Sequence, residues 1–234
     1  MIESIEQRIV DAAITSRRSI RAFLDKEVAT EDIKDILSIA ARAPSSTNAQ
    51  PWKVYVLYGD LKKTVSNEIR TVFFDPCASK EHTLEYKYYP GAFTFEYAER
   101  RRKVGYGLYS LLGIDKRDKS SMQHQHARNF DFFDAPIGLI FTMERTIQDG
   151  MSAWLDYGMF IQNIMIAARA RGLDTCVQGA FAQFHKILKV LLDLPKEEMV
   201  VCGMSLGYAD SGKIENTLVS ERETPAGFAK FLNA

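Results

Sequence analysis

Between Ser152 and Arg171 the chain places Trp154, Tyr157, Phe160, Ile161, Ile164 and Ala168 at helical spacing, and Gly172 follows at once. Apolar side chains recurring every three to four residues over such a length predict a helix with a broad buried face, stopped by a residue free to turn. The runs on either side of it, APIGLIFTM from Ala135 and MVVCGMSLGYA from Met199, are rich in strand formers. A third such run, WKVYVLYG from Trp52, lies between Pro51 and Gly59. A central helix set among strands is therefore the frame, and it selects an α+β fold.

Other elements fit around that frame. Ile5, Ile9, Ala12 and Ala13 form a stripe that predicts an amphipathic helix over residues 3–16. Thr30, Glu31 and Asp32 start a second helix, with Ile33, Ile36, Leu37 and Ala40 on its buried face, and it stops before Pro44. A shorter helix is expected from Ala182 to Leu192, ended by Pro195. From about Phe74 to Asn129 the chain holds many tyrosines and the run Arg100-Arg101-Arg102-Lys103, and reads as helices with loops inserted between core strands. The expectation is one domain over residues 1–234, with this aromatic and basic insert at about 74–129 and a tail at about 210–234. At 234 residues and 46% hydrophobic content the chain can bury a sizeable core.

Charge narrows the function. Lys plus Arg and Asp plus Glu number 30 each, so no global field draws the protein to nucleic acid or to an anionic membrane. No window is long and apolar enough for a bilayer span, and MIESIEQRIVDAAI is unlike a signal peptide. Cys77, Cys176 and Cys202 are far apart and form no CxxC, which fits buried thiols in a reducing, cytoplasmic setting and no metal site.

Two stretches carry the candidate chemistry. In TSRRSIRAF, from Thr15 to Phe23, an extended backbone puts Arg17, Ser19 and Arg21 on one face and Arg18 and Ile20 on the other. Forked, permanently charged guanidiniums beside a hydroxyl suit a phosphate. In APSSTNAQPW, from Ala43 to Trp52, Ser45, Ser46, Asn48 and Gln50 form a dense set of neutral donors and acceptors, suited to a polyol or the edge of a heterocycle. Taken singly, each stretch also fits an ordinary solvated turn. His124 and His126 stand two apart with no completing ligand, Gly105 and Gly107 open no dinucleotide-binding turn, and no GxSxG occurs. Phosphate-suited donors without such motifs point to a mononucleotide-like cofactor that carries the reaction itself.

Together these stretches resemble the FMN-dependent nitroreductase family. The resemblance runs through RRSIRAF, the second helix, APSSTNAQPW, the AP-strand at Ala135, RGLDTCVQGAF from Arg171, the strand ending SLGYAD, and a tail containing Arg222. The aromatic insert and RRRKVGYGLY look most like the branch that reduces nitrobenzoates and related nitroaromatics.

The resemblance implies a three-layer sandwich around a mixed, mainly antiparallel sheet, in an intertwined homodimer with FMN sites at its interface. Arg17 and Ser19, joined by Arg222, match the phosphate-holding positions, with Arg18 as a further cation of that cluster. Pro44, Ser45, Ser46 and Asn48 would come from the other subunit, in a loop whose Gln50 is a further candidate. Gln178 and Gly179 would lie at the flavin's N5 and O4 edge, and Arg21 or Arg128 would be the cation at its pyrimidine side. No side chain acts as a catalytic acid or base. Electrons pass from NADH or NADPH through flavin N5 to a nitroaromatic or quinone in ping-pong order, both partners using one site. The insert would be a lid whose tyrosines stack on flat substrates and whose Arg100 to Arg102 attract an aromatic carboxylate. Ser220 stands where many relatives carry a basic residue. A reductive dehalogenase, an enzyme that consumes its own flavin, and a non-catalytic FMN-binding module are the alternatives.

Overall fold

The structure, a computed structural model, describes residues 4–232. Helix α1 spans Ile5–Ser16, and its start is fixed by reciprocal hydrogen bonds between Ser4 and Gln7, each side chain accepting from the other's backbone N–H. Glu3, where the predicted helix began, lies outside the described residues. The stripe on α1 is not buried within the chain: Ile5 and Ile9 are 68% and 62% exposed, and only Ala13 is buried.

Helix α2 (Thr30–Ala40) buries Ile33, Ile36 and Ala40 and ends ahead of Pro44, as its pattern predicts. Strand β1 (Lys53–Leu57) follows, then a helix the sequence reading passed over, α3 (Gly59–Phe74). The insert supplies α4 (Pro76–Lys80), α5 (Phe95–Leu111) and α6 (Lys119–Ala127) with loops between them. Strand β2 (Ile137–Glu144) leads into the central helix α7 (Met151–Arg169), which Gly172 closes at φ +72°, beyond which β3 (Asp174–Gln178) begins. The helix expected from Ala182 starts later than predicted: Gly179–Phe184 is a tighter 3-10 turn, and α8 covers His185–Leu191. Strand β4 (Glu198–Gly207) and the short α9 (Pro225–Phe228) complete the chain.

The strands lie in the order β1-β2-β4-β3, antiparallel throughout. Ile137, Leu139, Phe141 and Met143 of β2 pack with Ile33, Ile36, Tyr157, Phe160 and Ile164 of α2 and α7. Ile140 faces the opposite core, with Val65 and Ile69 of α3, Phe181, Phe184 and Leu188. Helices on both faces of one sheet make three layers. The pairing of β2 with β4 steps from Phe141–Cys202 to Thr142–Val200, so Val201 is an extra, bulged residue, and its carbonyl accepts the Tyr86 hydroxyl of the insert. No described helix is long and apolar enough to cross a membrane.

The segment Arg17–Phe23 runs extended beside this sheet. Ser19 bridges Thr175 in parallel fashion, Phe23 bridges Ala209 antiparallel, and Ile20 N–H donates to the Thr175 carbonyl at 3.1 Å. The bridge lies outside the four paired strands. Phe23 N–H donates to Phe133 O at 3.2 Å. Phe132, Phe133 and Asp134 all have left-handed φ (55°, 52° and 68°), a costly turn for side-chain-bearing residues. Stacking of Phe132 on Phe181 at 4.5 Å, over Gly138 where any Cβ would overlap the ring, helps hold that turn.

Candidate functional site

Arg17, Arg18, Ser19 and Arg21 line a groove of about 930 Å³ together with Gln162 and Arg169 of α7, Val104 of α5, and Leu218, Val219, Ser220 and Arg222 of the tail. The extended segment and the tail, some two hundred residues apart in sequence, are thus two walls of one cleft. Burial lowers the Arg17 pKa, and the like charge of Arg222 lowers it further. Among the described residues Arg17, Arg21 and Arg222 form no ion pair, whereas Arg70, Arg128, Arg145 and Arg169 each have a carboxylate partner. Cations held together without a counter-charge favour an anionic ligand.

The wall at residues 17–23 is fixed from behind. Buried Asn216 accepts Arg21 N–H at 2.8 Å and donates to the carbonyls of Ala22 and Asp210 at 2.8 and 2.9 Å. Arg169 donates to Ser16 Oγ at 2.9 Å and pairs with Asp174 at 3.2 Å. Burial raises the Asp174 pKa, and Arg169 and Arg18 oppose it, so the charge that Arg18 faces is this carboxylate. The Cys176 thiol lies beside Ser19, and burial pushes it up to about 11, which leaves it a packing group. Cys202 is likewise buried, but Cys77 is exposed, contrary to the expectation that all three would be buried.

On the tail, Arg222 donates to Ser220 Oγ at 2.7 Å and to the carbonyls of Ser220 and Glu221. Ser220 thus serves as a rest for Arg222. The lid arginines are placed differently from the expectation: Arg100 pairs with Glu223, Arg102 with Glu99, and Lys103 with Glu221, while Arg101 stacks over Tyr89 and Phe93. The basic run faces the tail, its own helix and the loop before that helix. His124 and His126 pack on Phe74 and Phe73, and the described residues hold no cluster of acidic, His or Cys side chains suited to a metal.

The second candidate stretch does not reach this groove within one chain. Both oxygens of buried Asp156 on α7 accept Ser46 N–H at 3.1 Å, and Ser45 Oγ accepts Gln50 N–H. Thr47, Asn48 and Gln50 adopt φ of 50°, 60° and 50°, so the loop turns outward, with Pro44, Ser46, Asn48 and Gln50 exposed. Asp156 carried no signal in the sequence beyond being a lone acid in an apolar helix.

Gln178 is buried, its amide donating to Asn129 O at 2.7 Å and its carbonyl accepting Ser205 Oγ at 2.9 Å. Its side chain is thus engaged within the fold, and Gly179 beside it is only half-buried. Tyr88 of the insert lies so close over Gly179 that a Cβ there would overlap its ring. Tyr88 also borders a second cavity of about 630 Å³, walled by Tyr86, Trp154, Tyr157 and Ile161. Arg128 stands elsewhere: it pairs with Glu215 at 2.5 Å and Asp134 at 2.9 Å. Burial works against its charge, and those two acids more than offset that, leaving its pKa above the ordinary value.

Comparison with known proteins gives the family. Residues 14–208 match the model of the nitroreductase family. A 4-nitrobenzoate reductase of Pseudomonas putida is 41% identical over 222 residues, 95% of each chain. A nitrobenzene nitroreductase of Ectopseudomonas oleovorans is 39% identical, covering 96% of this chain and 97% of its own. The crystal structure of the FMN and NADPH-dependent nitroreductase NfnB from Sphigopyxis sp. strain HMH superposes with a TM-score of 0.89 at 30% identity, over 96% of this chain and 99% of that one. With the family model spanning most of the sequence and such relatives spanning nearly all of it, this chain belongs to the nitroreductase family.

Proposed function

We propose that this chain is a homodimeric, FMN-carrying reductase that takes electrons from NADH or NADPH and delivers them to a nitroaromatic compound, working in the cytoplasm. The observation that carries the reading is the nearness of Arg17 and Arg222 in one groove that Ser19 also lines, with no ion-pair partner for either among the described residues. A phosphate dianion supplies the missing charge, and a groove of about 930 Å³ leaves room for more than the phosphate. The residues present therefore fit the group.

When bound, FMN supplies the hydride-accepting and hydride-donating chemistry. The chain's own residues bind and orient. Arg17, Ser19 and Arg222 hold the phosphate. Arg21, fixed by Asn216, is the cation for the pyrimidine side; Arg128, occupied by Glu215 and Asp134, braces the turn behind it. The backbone of Gln178 and Gly179 faces the reacting edge, and the cavity bordered by Tyr86, Tyr88 and Trp154 takes a flat aromatic ring. No acid or base is required of the protein for hydride transfer itself.

A second copy completes the site. The loop with Pro44, Ser45, Ser46, Asn48 and Gln50 is pinned to α7 and displayed outward, away from its own groove. Met151 and Leu155 of α7 are 83% and 69% exposed, and Ile5 and Ile9 of the adjoining α1 are exposed with them. Apolar surface of that kind is covered in a stable assembly.

The test is anaerobic absorbance of the purified protein during titration with NADH and then NADPH. The expected result is a yellow flavin spectrum that bleaches with one equivalent of donor and returns on adding 4-nitrobenzoate. A colourless protein that takes up no added FMN would overturn the reading. A flavin that neither nucleotide bleaches would replace it with a binding module.

A further inference from the structure

The run Arg100-Arg101-Arg102-Lys103 lines neither the groove nor the cavity beside Tyr88. On α5, positions 100, 103, 104 and 107 fall on one face. That face meets the tail in reverse order. Arg100 pairs with Glu223, Lys103 pairs with Glu221 at 2.5 Å, and Gly107 sits so close to Leu218 that an added Cβ would come within 3.2 Å of it. Val104, between these contacts, lines the groove with Leu218 and Val219. The tail between Leu218 and Thr224 has no helix, and both of those residues are extended. In extended chain, alternate side chains take opposite sides. Glu221 and Glu223 held on α5 therefore leave Arg222 on the other side, where it lines the groove with Arg17.

We propose that Arg100 and Lys103 of α5 and Glu221 and Glu223 of the tail are positioning residues: a two-tooth clamp that sets the phase of the tail so that Arg222 faces the cofactor phosphate. The basic run thereby serves the cofactor site and leaves recognition of the substrate to the aromatic cavity. This rests on the FMN reading, and it extends it by linking the lid helix to the phosphate wall.

The clamp and a simple charge effect predict opposite signs. Replacing Glu221→Lys and Glu223→Arg adds positive charge beside a phosphate, which by field alone tightens FMN binding. The clamp predicts the reverse, because the tail is repelled from α5 and Arg222 leaves the groove. FMN affinity, read from quenching of flavin fluorescence on rebinding to the apoprotein, should weaken by roughly three- to tenfold, the scale of two exposed ion pairs. Adding Arg100→Glu and Lys103→Glu to the same protein restores the pairs in reverse and should recover most of that loss. Tighter or unchanged binding in the tail-only variant, or no recovery in the fourfold variant, overturns the clamp.

Backbone amide order parameters of residues 219–223 in the apoprotein, from NMR relaxation, supply a readout that needs no flavin. They should fall from rigid values to below about 0.6 in the tail-only variant and return in the fourfold one. If the wild type binds no FMN yet the tail follows this pattern, the clamp stands as a tail-positioning device and the cofactor reading fails.

Discussion

The wall of the groove at Arg17–Phe23 and the wall at Leu218–Thr224 each bring arginine to the groove but are held in unlike ways. The first is tied by backbone hydrogen bonds to Thr175 and Phe133 and clasped by the buried Asn216 amide. The second has no sheet partner and rests on ion pairs whose side chains are 44% to 74% exposed. Buried hydrogen bonds are costly to leave unmade, whereas exposed ion pairs each contribute little. One wall is therefore part of the fold, and the other is a removable side. A cofactor that enters and stays needs both: a fixed template for its charge, and a second arm that closes without rebuilding the core.

Breaking the fixed wall should have the largest effect. Asn216→Leu leaves Arg21 N–H without its partner and takes one of two donors from the carbonyls of Ala22 and Asp210, which keep Asp210 N–H and Lys213 N–H. One unmet donor and two lost hydrogen bonds cost roughly 3 kcal/mol in sum. In a chain of this size that lowers the thermal midpoint by about 6 to 12 °C, measurable by calorimetry, and flavin retention should fall with it. A midpoint within about 2 °C of wild type would mean the segment stands without its clasp. Arg222→Ala, by contrast, should leave the midpoint of the flavin-free protein in place.

The same asymmetry should appear in affinity. Arg17 is partly buried, so little ordering entropy remains to be lost when it meets an anion, while exposed Arg222 must be immobilised. Arg17→Ala should weaken FMN binding by roughly thirtyfold and Arg222→Ala by roughly fivefold, the range expected for charge-assisted hydrogen bonds of unequal preorganisation. Equal losses, or a larger loss at Arg222, would reverse the assignment of the rigid and removable walls.

The two walls also differ in how they could be read from sequence. Helices α2 and α7 and strands β1, β2 and β4 follow from apolar period alone, because each presents a face to a core, and α1 follows from the same period although its stripe stays exposed within the chain. Strand β3 breaks the pattern. Asp174 pairs with Arg169, the Thr175 backbone holds Ile20, and Gln178 bonds to Asn129 and Ser205, so its residues are chosen for the site they support. Helix α3 buries only Val65, Ser66 and Ile69, a stripe too narrow to stand out among charges. The grouping of Arg17, Ser19 and Arg21 was legible from local alternation. Its joining with Arg222 came only from resemblance. The placement of Arg169, the Asp156 anchor and the pairing of α5 with the tail depend on contacts between distant segments, which no local window records. Arg128 shows the opposite failure: a cation at a suggestive position whose charge two acids had already taken.

The smallest effect sharpens the comparison without altering a residue. Screening shortens the reach of a charge from about 8 Å at physiological salt to about 3 Å at 1 M. The pairs of Arg100 with Glu223 and Lys103 with Glu221 lie in solvent and should weaken over that range. The bonds from Ile20 to Thr175 and from Phe23 to Phe133 join neutral backbone groups and should not. In the apoprotein, order parameters of amides 219–223 should therefore decline as salt rises, while those of amides 20–23 stay near 0.85. The change is worth no more than about 1 kcal/mol per pair, so it appears as added tail motion with no shift in the thermal midpoint. If both segments loosen together, the tail is tied to the fold by more than its charges. If neither responds, packing of Leu218 on Gly107 holds the tail, and the ion pairs set only its facing.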